Sequence, residues 1–327
     1  MDALAGLLDG PRARGAFLLR MVMEPPWSVR IEDRAPLCLM SMTEGEAWIV
    51  PAGDAEPVLL RPGDLAIARG PEPYTVADRP GTRPQTRIGP GGVCTTLRGE
   101  PLARSMHLGV RTWGNAPDGE ASMLVGTYLL DGEISRRLLD ALPALILLPG
   151  DGDGDGRGSP LLTLLDSEIT RDEPGQSVVL DRLLDLLLID ALRTWFSRPG
   201  GEAPAWYRAM GDPVVGQALR LLQNEPAHPW TVAALAGRTG VSRAGLARRF
   251  TELVGEPPMS YLTGWRLAVA ADLLRETDAT VEAVARKVGY SQAFAFSTAF
   301  KRVRGVGPQD YRNGRGLPDR QQDLPVA

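Results

Sequence analysis

The sequence predicts an α+β protein of two domains, an antiparallel β-domain with added helices followed by an all-α domain. Three observations carry that prediction. Over residues 16–76, short strand-like segments alternate with Pro, Gly and Asp at close spacing, which favours small antiparallel sheets. From Asp212 onward the apolar spacing is helical and broken only by brief turns. Within that helical part, one stretch recurs 49 positions on. A length of 327 residues suits two domains, and 43% hydrophobic with 23% charged residues is a globular composition.

Taken in order, residues 17–23, 37–42, 47–50, 58–60 and 65–68 are the expected strands. Arg61-Pro-Gly-Asp64 suits a tight turn, because proline presets φ and glycine accepts a positive one. Residues 79–92, rich in Pro, Gly and Arg, read as a loop. Residues 133–142, 161–171 and 177–197 are expected helices, the last with an apolar stripe of Leu180, Leu184, Leu187, Leu188, Ala191 and Trp195. That stripe serves either the core or a dimer contact. Residues 149–160 read as a Gly/Asp-rich linker, and a second Pro/Gly break at 197–204 sets the boundary. The domains are therefore expected at 1–205 and 206–316, with a disordered tail at 317–327.

Several function classes are disfavoured. The first ten residues hold Asp2 and Asp9 where a signal peptide needs basic residues. No apolar run reaches the ~18–20 residues that span a bilayer, so a cytoplasmic protein without membrane partners is expected. Two histidines, His107 and His228, cannot make a multi-histidine metal centre, and neither a cofactor nor an enzymatic activity is expected. Asp151-Gly-Asp-Gly-Asp-Gly156 matches the first half of a calcium loop, but Leu162 stands at its twelfth position, and a solvated linker is the better reading. Charge is unevenly spread. Residues 1–205 carry 20 Lys and Arg against 29 Asp and Glu, whereas residues 206–316 carry 15 against 9. A basic C-terminal part suits a nucleic-acid partner.

The repeat sharpens that inference. Thr231-Val-Ala-Ala-Leu-Ala-Gly-Arg-Thr-Gly-Val-Ser242 recurs as Thr280-Val-Glu-Ala-Val-Ala-Arg-Lys-Val-Gly-Tyr-Ser291. Each unit reads as a short helix, a glycine turn and a second helix capped by its serine. Leu246, Phe250 and Leu253 fall on one face of the first second-helix; Phe296, Phe300 and Val303 match them in the other. A long helix over 259–275 is expected between the units, entered through Pro257 and Pro258. Two helix-turn-helix units at this spacing are a strong DNA-binding signal.

Val284-Ala-Arg-Lys-Val-Gly-Tyr-Ser291, Phe296-Ser-Thr-Ala-Phe-Lys-Arg302 and Gly307-Pro-Gln-Asp-Tyr-Arg312 closely resemble the DNA-binding domain of the AraC/XylS family, over residues 212–312. The resemblance implies a linker helix that places two recognition helices in adjacent major-groove segments. It also implies a base-contacting role for Arg248; contact with phosphate alone is the other reading. Ser242, Arg243, Ala244 and Ala247 lie off the buried face of the same helix, and Arg243 and Arg249 suit phosphate contacts or solvated charges. In the second unit the candidates are Ser291, Ala293, Phe294, Ala295, Ser297 and Thr298, with Lys301 and Arg302 for the backbone. Thr298 stands where the family usually has arginine, so this helix should rely on thymine-methyl contacts or phosphate; Phe294 could equally be core. The first unit is expected to supply most of the specificity.

In the β-domain, Glu44-Gly-Glu-Ala-Trp48 and Pro62-Gly-Asp-Leu65 through Pro73-Tyr74 resemble the cupin-like sensor domain of such regulators. Cys38, Met40 and Tyr74 stand near the positions of the metal-binding histidines, which favours an organic ligand over a metal. The expected protein is a sequence-specific regulator that binds double-stranded promoter DNA as a homodimer and responds to a small-molecule effector, with RNA polymerase as partner if it activates. Two alternatives stay open: a constitutive DNA-binding regulator with a structural dimerisation domain, or a redox regulator pairing Cys38 with Cys94.

Overall fold

The computed structural model describes residues 17–128, 132–150, 159–198 and 203–314. The calcium-loop-like stretch at 151–156 and the tail at 317–327 lie outside the described residues. Contacts divide the chain into two compact units.

The first unit is built on two sheets. One has seven strands in the order β10 (His107–Gly109), β11 (Thr112–Gly114), β1 (Phe17–Met23), β12 (Ala121–Tyr128), β3 (Leu37–Glu44), β6 (Leu65–Arg69) and β13 (Leu145–Leu148). The other has six, in the order β5 (Val58–Leu60), β4 (Ala47–Pro51), β7 (Tyr74–Ala77), β2 (Ser28–Ile31), β8 (Thr86–Ile88) and β9 (Cys94–Thr96). Alternate residues from both sheets meet in one core, which includes Met21, Met40, Met42 and Met123 from the first and Val29, Ile49 and Val76 from the second. Register sets Met21 opposite Met123 and Met123 opposite Met42, a row of three thioethers across adjacent strands.

The expected turn at 61–64 is present. Gly63 has φ +86°, the Asp64 N–H donates to the Arg61 carbonyl (2.9 Å), and the Asp64 carboxylate accepts from the Arg61 N–H (2.9 Å). The expected loop at 79–92 differs, because β8 lies inside it and runs parallel to β2. Three residues between prolines and glycines are too few to show a period. β12 is apolar on both faces: Met123 enters the shared core, while Leu124 is buried on the other side. That outer side meets helix α3 (Gln176–Ser197), reached through α2 (Pro160–Ile169). A Cβ at Gly126 would come within 2.8 Å of a Leu184 methyl and displace that side chain, and the Tyr128 hydroxyl donates to the Leu184 carbonyl (2.8 Å). The expected stripe is buried except Trp195, which is half-buried, with Leu183, Leu192 and Phe196 added.

The helical unit contains α4 (Ala205–Met210), α5 (Val215–Asn224), α6 (Val232–Thr239), α7 (Arg243–Val254), α8 (Pro258–Glu276), α9 (Val281–Lys287), α10 (Ala293–Arg304) and α11 (Pro308–Arg312). It also takes in helix α1 (Glu133–Leu139). The long helix α8 serves two cores. Tyr261, Leu262 and Trp265 pack with Leu235, Leu246 and Phe250, whereas Leu267, Ala270, Ala271 and Leu274 pack with Val284, Phe296 and Phe300. Among the described residues, no helix is long and apolar enough to cross a membrane.

Candidate DNA interface

Each unit begins with a capped scaffold helix. The Thr231 hydroxyl accepts from the Ala234 N–H and the Thr280 hydroxyl from the Ala283 N–H, both at 3.1 Å. Each turn then uses a glycine at positive φ, Gly240 at +71° and Gly289 at +90°. At Gly289 the space is also closed, since a Cβ would lie 2.8 Å from the Ala227 backbone.

Beyond these glycines the two copies fall out of step. Gly240 and Gly289 are 49 apart, but α7 and α10 start at Arg243 and Ala293, 50 apart. The second turn thus holds one extra residue. Ser242 caps α7, accepting from the Gly245 N–H (3.1 Å). Ser291, expected to do the same, is displaced by one position. Gln292 occupies the N-cap of α10, and no side chain there accepts a capping bond.

The buried faces are Leu246 and Phe250 in α7, and Phe296 and Phe300 in α10. The expected third anchors diverge. Leu253 packs partly against its core, but Val303 is 52% exposed and is no core residue. The opposite face of α7 presents Ser242, Arg243, Ala244 and Arg248 as exposed residues, with Ala247 half-buried beside them. The Arg248 side chain is 79% exposed and reaches only Glu252 one turn on, at 3.9 Å. Arg249, expected on phosphate or in solvent, is used otherwise. It donates through Nε (3.0 Å) and a terminal nitrogen (2.5 Å) to Asp212, whose other oxygen accepts from the Val214 and Val215 N–H groups. Burial opposes ionisation of Asp212, but the Val215 N–H and Arg249 outweigh it and hold the carboxyl below its ordinary range. Arg249 therefore ties α7 to the start of α5.

On α10, Phe294 is 82% exposed, which removes it from the core. Ser291, Ala295, Thr298, Lys301 and Arg302 are exposed as well, with Ala293 and Ser297 half-buried. The Thr298 hydroxyl donates back to the Phe294 carbonyl (3.0 Å), so its proton is spent within the helix. Sequence reasoning missed Gln292. Its exposed amide stands at the start of α10, and the slip from 49 to 50 is the only signal that could have found it. A glutamine there can pair with adenine in the major groove.

The units are also tied directly. From α8, Arg266 donates to the Pro226 carbonyl (2.6 Å) and the His228 carbonyl (2.8 Å) before the first unit. It also lies over the ring of Tyr290, in the turn of the second. His228, one of the two histidines, packs against Trp230 with ring centroids 4.2 Å apart and planes tilted by 50°.

In the two sheets, both cysteines are free and buried. Burial pushes the Cys38 thiol up to about 12 against the opposing hydrogen bond from Tyr74, and burial raises Cys94 to about 11. Such thiols hold little thiolate at neutral pH, which weighs against the redox reading. Among the described residues, no group of three His, Cys, Asp or Glu could hold a metal. The Trp27 indole N–H is buried in the shared core without a partner among the described residues.

Comparison with known proteins finds relatives of both parts of the chain. The protein-family profile described as Cupin matches residues 2–197, and one described as Helix-turn-helix domain matches residues 235–314. An AraC-like transcription regulator of Streptomyces lividans is 32% identical over 319 residues, 97% of this chain and 100% of its own. Another, of Streptomyces antibioticus, is 32% identical over 313 residues, covering 95% and 98% respectively. The solved DNA-binding domain of AdpA, in complex with a target DNA, is 31% identical; the match spans 32% of this chain and 93% of that one, with a TM-score of 0.30.

Proposed function

The chain belongs to the AraC-like transcription regulators that carry an N-terminal cupin domain, and from that premise we propose how it divides the work of reading DNA. The first unit reads bases through Arg248. The second grips the backbone through Lys301 and Arg302 and adds an apolar contact from Phe294. The exposure of Arg248, on the face opposite Leu246 and Phe250 and with one distant acidic neighbour, carries this reading. Guanidinium geometry suits guanine O6 and N7. A duplex selected by the full chain from a random pool supplies the operator. Arg248→Ala should then weaken it by ~1–3 kcal/mol, with relaxed preference at one base. An equal loss on every sequence would reassign Arg248 to phosphate.

The cupin domain is proposed to bind an apolar small-molecule effector carrying a hydrogen-bond acceptor. Met21, Met23, Met40, Met42, Met106 and Met123 line its core, and thioethers repack readily around varied guests. The Trp27 N–H, buried and unpaired among the described residues, offers a donor. Trp27→Phe should weaken the effector's shift of operator affinity while leaving affinity without effector unchanged. Homodimerisation is proposed through the apolar residues that α2 and α3 leave exposed, Leu164, Val178, Val179 and Leu186. Equilibrium sedimentation of Leu186→Glu tests this, and an undiminished dimer would sink it. RNA polymerase is the further partner where the protein activates, and the cytoplasm, where DNA is reached, is its proposed site of action.

A further inference from the structure

Helix α1 is seven residues long, too short to be stable alone, and it leaves β12 only to return to the same sheet at β13. Yet it belongs to the helical unit, where a carboxylate sits at the centre of its polar contacts. The Glu133 side chain is 3% exposed. It accepts from Arg304 and from the Tyr311 hydroxyl (2.9 Å), with Arg136 of its own helix also at 2.9 Å. Its N–H donates to the Asp272 carboxylate (2.6 Å). Arg304 ends α10, Tyr311 lies in α11 and Asp272 in α8, so one residue gathers three helices of the second unit. Burial and Glu133 together push the Tyr311 phenol up to about 12, which keeps it a donor. Ser135 and Leu138, also buried, complete the seat.

This contact lies at the C-terminal end of α10, whereas Gln292, Phe294 and Thr298 lie toward its start. Helix α1 therefore grips α10 without covering the surface that meets DNA. We propose that Glu133 is a positioning residue for the second reading head, and that α1, a part of the helical unit whose flanking chain runs to β12 and β13, couples those strands to the recognition helix α10. Coupling of this kind is reciprocal: if the sheets bias α10, then DNA held by α10 must alter the sheets.

Hydrogen exchange on the full chain, with and without its pool-selected duplex, tests the proposal. In the wild type, DNA should change exchange in β12 and β13 as well as protect α7. In Glu133→Gln the change in the strands should fall roughly fivefold or more while α7 stays protected. Base substitutions under the second unit should also lose weight, and those under the first keep theirs. Should E133Q fail to fold, two glycines inserted after Asp140 lengthen one tether and leave every partner of Glu133 in place; the same loss is expected. Strands that respond equally in the variants, or that ignore DNA in the wild type, would overturn the coupling and leave a local clamp.

Discussion

In the first unit the turn runs Gly240, Val241, Ser242, and the serine closes the start of α7. In the second it runs Gly289, Tyr290, Ser291, Gln292, and nothing closes α10. The extra residue moves the serine off the cap and brings an amide to the exposed start of α10. The same comparison holds along the helices. Arg248 in the first has its counterpart in Thr298, whose hydroxyl is turned inward, while Leu246 has its counterpart in an equally buried Phe296. Core positions are thus kept in kind and exposed positions are not. Packing constrains the former to apolar residues of similar volume; solvent places no such limit on the latter.

The largest expected effect tests the shared half of the comparison. Phe250→Ala and Phe300→Ala should each cost ~3–5 kcal/mol of stability, read by thermal unfolding. Because α8 joins the two cores, both should lower a single transition. Two separate transitions would break the equivalence.

Next come the residues that differ. Arg248→Ala should cost ~1–3 kcal/mol of operator binding, against about 1 kcal/mol for Gln292→Ala. Reversal of that order in a binding titration would move specificity to the second unit. Gln292→Ser should restore the missing cap and raise stability by ~1 kcal/mol, measured by thermal unfolding, even as it weakens binding.

The smallest effect concerns acid. The folded pKa of Asp212 lies below the unfolded one, so its contribution is full above the unfolded value of 3.8 and is lost as pH falls through the folded value. Asp212→Asn should flatten the acid limb of the stability profile below about pH 4. An unchanged limb would show that Arg249 holds nothing that matters to folding.

Much of this was legible in the sequence because it rests on local chemistry. Proline, glycine and threonine mark the helix ends, and the 3.6-residue period marks α3, α7, α8 and α10. What escaped is non-local. β12 shows no alternation because both its faces are buried, and β8 is too short to declare itself. Glu133 looks like an ordinary acidic helix start, since its partners lie 139 to 178 residues away. Likewise, Arg249 reads as a free cation until Asp212, 37 residues earlier, is placed beside it. Gln292 was hidden by a repeat aligned on its glycines, which matches well up to the very residue where the spacing changes.

The double allegiance of α8 also bears on folding cooperativity. Half of this helix completes one core and half the other, so neither reading head can assemble a full core without the segment that belongs to its neighbour. A nascent chain that has emerged only as far as Glu276 holds the whole spine but a core for one end of it. The apolar stripe of Leu267, Ala270, Ala271 and Leu274 then waits uncovered for the residues that follow. The second core is therefore completed only by the residues that follow Glu276.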